Sequence, residues 1–113
     1  MIDACSFGSM VVDGKRYSSD LIIYPDGRVV PAWHRREGHR LYLQDIANLI
    51  EAKPDIIIAG TGANGRMRPD RQLAEQLSAK GIAFLAEANP TAVPRYNELA
   101  ANRKVGACFH LTC

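Results

Sequence analysis

Cysteine is scarce in this chain. Cys5, Cys108 and Cys113 are an odd number without paired spacing. The simplest reading is free thiols in a reducing cytoplasm, and the expected location is cytoplasmic. His34, His39 and the cysteines lack zinc-ligand spacing, so no metal is expected. No apolar run approaches the length of a membrane span. The N-terminus has no basic region followed by an apolar stretch and no Arg/Ser-rich presequence, so no targeting signal is expected. An excess of one charge is missing too. A formal net charge of +2 is too small to imply nucleic acid. Repeats, low-complexity tracts and linkers are absent, so residues 1–113 are expected to form one domain.

What is present is organised around Pro54 to Gly65. Ile56, Ile57 and Ile58 form a β-branched run without polar alternation. A strand buried on both faces reads that way, and such strands are mostly parallel and covered by helices. Pro54 stops the preceding helix, because it turns the residue before it away from the helical region. Gly60-Thr61-Gly62 breaks the strand into a loop, and Pro69 is expected to open a new helix.

The first third has the character of a meander of short antiparallel strands. Phe7 to Val12 predicts a strand, Asp13-Gly14 a tight hairpin turn, and Lys15 to Tyr17 the return. The chain runs on to Leu21–Tyr24, turns at Pro25-Asp26-Gly27, and continues from Arg28 to Trp33. Pro31 places that last strand at an edge, since proline has no ladder donor. The periodicity then changes. Leu43, Ile46, Ala47 and Ile50 share one helix face. A second helix from Pro69 buries Leu73, Ala74 and Leu77 and stops at Gly81. Ile82 to Ala86 predicts a second buried strand. A third helix is capped by Thr91, with Pro94 in its first turn and Val93, Tyr96, Asn97 and Ala100 on one face. Val105 to Leu111 is the last strand. The fold class is therefore α/β, with a mixed central sheet, helices on both faces and an N-terminal hairpin packed alongside.

Several stretches in this order resemble a known family: Phe7-Gly8 with Asp13-Gly14, Tyr17 followed by Asp20, and Trp33 with the basic Arg35–His39 segment. Pro54-Asp55 leading to Gly60-Thr61-Gly62, Tyr96-Asn97, and Arg103 before the last strand complete the set. The chain resembles the small α/β domain family of unknown biochemical function that includes a mitochondrial complex I assembly factor and an adipogenesis-associated protein. The resemblance implies a compact α/β/α-type fold. It also implies a noncatalytic interaction or assembly role with a protein partner, and no established catalytic residue.

The residues suggest a second reading. Gly60, Gly62 and Gly65 have the spacing of a dinucleotide fingerprint, with Glu87 ending the next strand. In that fingerprint the helix starts within the glycines, whereas here Arg66-Met67-Arg68 intervene before Pro69. A tight strand exit needing positive φ is the favoured reading, and no NAD, FAD or other cofactor is expected. No Gly-Lys-Ser/Thr follows, so this is no phosphate-binding P-loop. A small anion remains a candidate ligand. Its crevice would be formed by Gly60, Thr61, Gly62, Glu87, Thr91, Tyr96 and Asn97, with Arg35, His39 and Arg66 supplying charge. The alternative for the basic residues is a solvated rim around a half-buried Trp33. Cys108 and His110 point to the same side of the last strand, but without an electropositive, exposed setting a buried cysteine is an inert hydrophobe.

Overall fold

The Ile56–Ile58 run lies inside a mixed five-stranded sheet. The computed structural model describes residues 1–113. Its strands in chain order are β1 (Ile2–Ser6), β2 (Ser9–Val12), β3 (Lys15–Tyr17), β4 (Leu21–Ile23) and β5 (Val29–Pro31), followed by β6 (Arg40–Leu41), β7 (Ile56–Gly60), β8 (Arg68–Pro69), β9 (Ala83–Glu87) and β10 (Val105–Phe109). The helices are α1 (Ala47–Glu51), entered through a 3-10 turn at Leu43–Ile46, α2 (Leu73–Ser78) and α3 (Asn89–Ala100).

The large sheet has the order β5-β4-β10-β7-β9. β7 and β10 are parallel and buried along their whole length, and β4 runs antiparallel to β10. Each face has its own core. Ile57, Ala59 and Cys108 pack with Leu49, Leu73 and Leu77 of α1 and α2. Ile56, Ile58 and Phe109 pack with Ala92 and Tyr96 of α3 and with Ile2, Met10 and Val12. Alternate residues of a central strand point to opposite faces, so an unbroken apolar run serves both cores. The expected architecture of mixed sheet, helices on both faces and adjoining hairpin is therefore the observed one.

Its details differ from the sequence reading at five places. Ile2–Ser6 is a strand, and Phe7-Gly8 is the turn that returns it to β2, with Gly8 at φ 77°. The expected meander is split: β1-β2-β3 form their own sheet, while β4 and β5 join the large one. Pro69 opens no helix. It lies in β8, which pairs with β6, and α2 starts four residues later. β9 begins at Ala83 rather than Ile82 and is a half-exposed outer strand, because nothing pairs with its far side.

The last difference is at α3. The helix starts at Asn89, not after Thr91, and Pro94 lies inside it. Asn89 is anchored at both ends of its amide. Nδ2 donates to the His110 carbonyl at 2.8 Å, and Oδ1 accepts the Gly62 N–H at 3.3 Å. That tertiary anchor, with Pro90 favourable in the first turn, outweighs the penalty of an internal proline.

Candidate functional site

The short β6–β8 ladder brings two distant basic segments together. Arg40 is the register partner of Arg68, Arg68 N–H donates to the His39 carbonyl at 2.8 Å, and Asp70 N–H donates to the Leu41 carbonyl at 2.8 Å. Between the segments lies an open groove of about 510 Å³, lined by His39, Arg40, Asn64, Gly65, Arg66 and Arg68. No lining side chain is apolar. Arg40 Nη2 is 3.5 Å from Asp70 Oδ1, whereas Arg66 and Arg68 have no carboxylate within ion-pair distance. Three guanidiniums and an imidazole therefore face the groove with one weak counter-charge. This is the chemistry that receives a carboxylate or phosphate.

A buried charged network lies behind His39. The antiparallel register of β4 and β10 pairs Leu21 with Phe109, which sets Asp20 and His110 side by side just beyond the ladder. Asp20 Oδ2 lies 2.8 Å from both His110 Nδ1 and Arg35 Nη1, and Oδ1 accepts the Leu111 N–H at 2.8 Å. An ionised carboxylate only accepts, so Nδ1 is assigned as the donor to it. Arg35 Nη2, 3.1 Å from the same nitrogen, is then a neighbour and not a partner; it donates to the Gly38 carbonyl at 2.7 Å. The Arg35 side chain is only 4% exposed and stacks over Trp33 at 4.7 Å. Burial alone would raise the Asp20 pKa. The hydrogen bonds from His110, Leu111 and Arg35, with the charge on His110, outweigh it and hold the carboxyl below the usual range. The His39 ring meets the His110 ring edge-on at 6.0 Å, which links the network to the groove.

The glycine loop is packed rather than open. A Cβ on Gly60 would run into the Phe109 ring and Asn89 Oδ1. One on Gly62, at φ 112°, would meet the backbone of Cys113 and come within 2.7 Å of the Thr112 carbonyl oxygen. Every backbone N–H from Thr61 to Met67 is spent inside the fold. Thr61 donates to Glu87, Gly62 to Asn89, Ala63 to Thr112, Asn64 and Arg66 to Cys113, Gly65 to Gly62, and Met67 to Thr61. No ring of free amides is left there to cradle an anion.

Of the residues proposed from sequence, His39 and Arg66 meet in the groove, where Arg40 and Arg68 join them. Arg35 is turned inward to Asp20. Glu87 ends β9 and Thr91 is exposed on α3. Tyr96 is buried edge-to-face against Phe109, with ring centroids 6.4 Å apart. Asn97 is tied to Ile2 of β1, whose N–H it accepts at 2.8 Å and whose carbonyl it donates to at 2.9 Å. Trp33 is buried, not half-buried, and donates Nε1–H to the Asp45 carbonyl. Burial pushes the Cys108 thiol up to about 12, so beside His110 it is no nucleophile at neutral pH. Asp20 and His110 had one legible signal, a charged and an imidazole side chain directly bordering strongly apolar strands. Their partnership depends on the β4–β10 register, which local pattern does not encode.

Comparison with known proteins gives a family and a fold. A family model described as "Protein of unknown function (DUF498/DUF598)" matches residues 2–110. A conserved hypothetical protein from Pyrococcus horikoshii OT3 superposes with a TM-score of 0.84 at 23% identity, over 100% of this chain and 99% of that one. A structure named MT938 is similar at 29% identity and a TM-score of 0.81, over 100% and 98%. A protein described as an outer membrane protein from Bartonella henselae is similar at 23% identity and a TM-score of 0.79, over 99% and 94%. In the present chain no helix is long and apolar enough to cross a membrane.

Proposed function

We propose, for a chain that belongs to the DUF498/DUF598 family of proteins of unknown function, a noncatalytic interaction module that receives an anionic group in the groove of His39, Arg40, Arg66 and Arg68. The observation that carries this reading is the pair of guanidiniums, Arg66 and Arg68, facing one groove without counter-charges. The anionic group is a carboxylate or phosphate, and its source is a partner protein. His39, Arg66 and Arg68 are exposed, so the groove covers a bound group from one side only. A small ligand is usually buried over about 70–90% of its surface. An acidic side chain on a protein needs only a one-sided cradle, because neighbouring surface supplies the other contacts. The assembly-factor resemblance agrees with a protein partner, and the three free thiols agree with a reducing compartment such as the cytoplasm.

The test is affinity capture from native lysate with the wild-type chain and with an Arg66→Glu/Arg68→Glu variant, reading bound proteins and metabolites by mass spectrometry. The expected result is a protein set held by the wild type, released by salt and lost in the variant. Capture that ignores charge reversal would overturn the proposal. A metabolite retained without any protein, and lost in the variant, would replace the protein partner by a free anion.

A further inference from the structure

The large sheet has two outer strands, and they are built differently. β5 is three residues long and ends at Pro31, which has no N–H to offer an incoming strand. β9 is five residues, Ala83-Phe84-Leu85-Ala86-Glu87, with no proline, lysine or arginine and an unbroken register against β7. Natural sheets blunt their edges with such residues. One edge here is blunted and the other is left open.

The register shows which groups of β9 face outward. Ala83 N–H donates to the Asp55 carbonyl at 3.1 Å, and Thr61 N–H donates to the Glu87 carbonyl at 2.9 Å. Bonding residues alternate along the ladder, so Ala83, Leu85 and Glu87 face β7, while Phe84 and Ala86 turn N–H and C=O away from it. Four backbone groups on a half-exposed strand are left without a ladder partner.

We infer that a second copy of this chain pairs at this edge, β9 against β9, antiparallel about a two-fold axis through Leu85. In that register Phe84 exchanges both backbone hydrogen bonds with Ala86 of the partner subunit, and Ala86 does the same with Phe84 of the partner subunit. All four outward groups of each chain are satisfied at once. A slip by two residues leaves half of them open. The side chains agree with this register. Phe84 stands opposite an alanine, large against small, and Leu85 meets its own symmetry mate. Glu87 faces Ala83 of the partner subunit, so no like charges oppose each other. Open space of about 370 Å³ beside Phe84, bordered by Ala74, Ser78, Gly81 and Ile82, leaves room for the flanking side chains. The two large sheets become one continuous sheet, and β9 itself contributes no residue to the basic groove.

Sedimentation equilibrium of the intact chain at micromolar concentration tests this, with Ala86→Pro as the variant. The substitution removes only an outward N–H and copies what Pro31 does at the opposite edge. The expected result is twice the monomer mass for the wild type and the monomer mass for the variant, with an unchanged circular dichroism spectrum. Hydrogen exchange of the Phe84 and Ala86 amides in the wild type is the second readout, and covers the case of a variant that does not fold. Protection that rises with protein concentration is expected. A wild type that is monomeric, a dimer that survives Ala86→Pro, or Phe84 and Ala86 amides that exchange at open-edge rates at every concentration would each overturn the inference.

Discussion

Asp20 and His110, ninety positions apart in the chain, share a 2.8 Å hydrogen bond whose carboxylate also holds the buried Arg35. The Asp20 pKa is depressed in the folded protein. A depressed carboxyl stabilises the fold fully above its unfolded value, about 3.9, and that contribution is lost as pH falls through the lower folded value. Urea unfolding followed from neutral pH downward should therefore show stability falling below about pH 4. Asp20→Asn should flatten that part of the curve. At neutral pH the same variant leaves the Arg35 charge buried without its counter-ion, so a loss of about 3–5 kcal/mol is expected.

The Gly62→Ala variant tests whether the glycine loop is structural. Its positive φ and the adjoining Thr112 and Cys113 backbone leave no space for a methyl group. Strain at such a φ costs about 1–3 kcal/mol, before any displacement of the neighbouring chain. A drop in thermal midpoint of several degrees is expected. A midpoint equal to that of the wild type would show that the loop and residues 112–113 separate easily.

The core of this fold was legible because Ile56 to Ile58 carry their burial in their own residue types. The hairpin at Asp13-Gly14 was legible for a related reason, since φ is positive at both positions, 49° and 81°, and the residue types announce it. The groove was half legible. Arg66 and Arg68 stand beside the glycine loop and His39 and Arg40 in the basic segment after Trp33, but no local pattern shows that the two segments meet. The β6–β8 ladder is only two residues per strand, too short to leave a periodic signal. Asn97 and Tyr96 attracted attention as polar groups on a helix. Their partners, Ile2 and Phe109, lie in other strands, and only tertiary structure reveals that both are occupied.

Cys108 gives a chemical test of burial. Its thiol is pushed from 9.0 to about 12 by desolvation, which lowers the thiolate fraction about a thousandfold. Iodoacetamide at neutral pH should leave Cys108 unmodified in the native protein and label it after denaturation. Peptide mass mapping reads both states. Rapid native labelling of Cys108 would mean that the α1/α2 face of the sheet opens readily.

Asn97 joins α3 to the N-terminal sheet through both backbone groups of Ile2, itself only 3% exposed. Asn97→Ala leaves a buried N–H and a carbonyl without these partners, at an expected loss of about 1–3 kcal/mol. Asn97→Asp keeps the acceptor for the Ile2 N–H but turns a carboxylate oxygen toward the Ile2 carbonyl, so it should rescue less than half of the loss. The effect should also be local. β1 makes its other ladder bonds only with β2, whereas β7 and β10 lie deep in the large sheet. Hydrogen exchange of the Asn97→Ala variant should therefore speed up at residues 2–6 while residues 56–60 and 105–109 keep their protection. Equal acceleration in all three segments would show that the small sheet and the large sheet open as one cooperative unit, and that Asn97 supports the whole core rather than one joint.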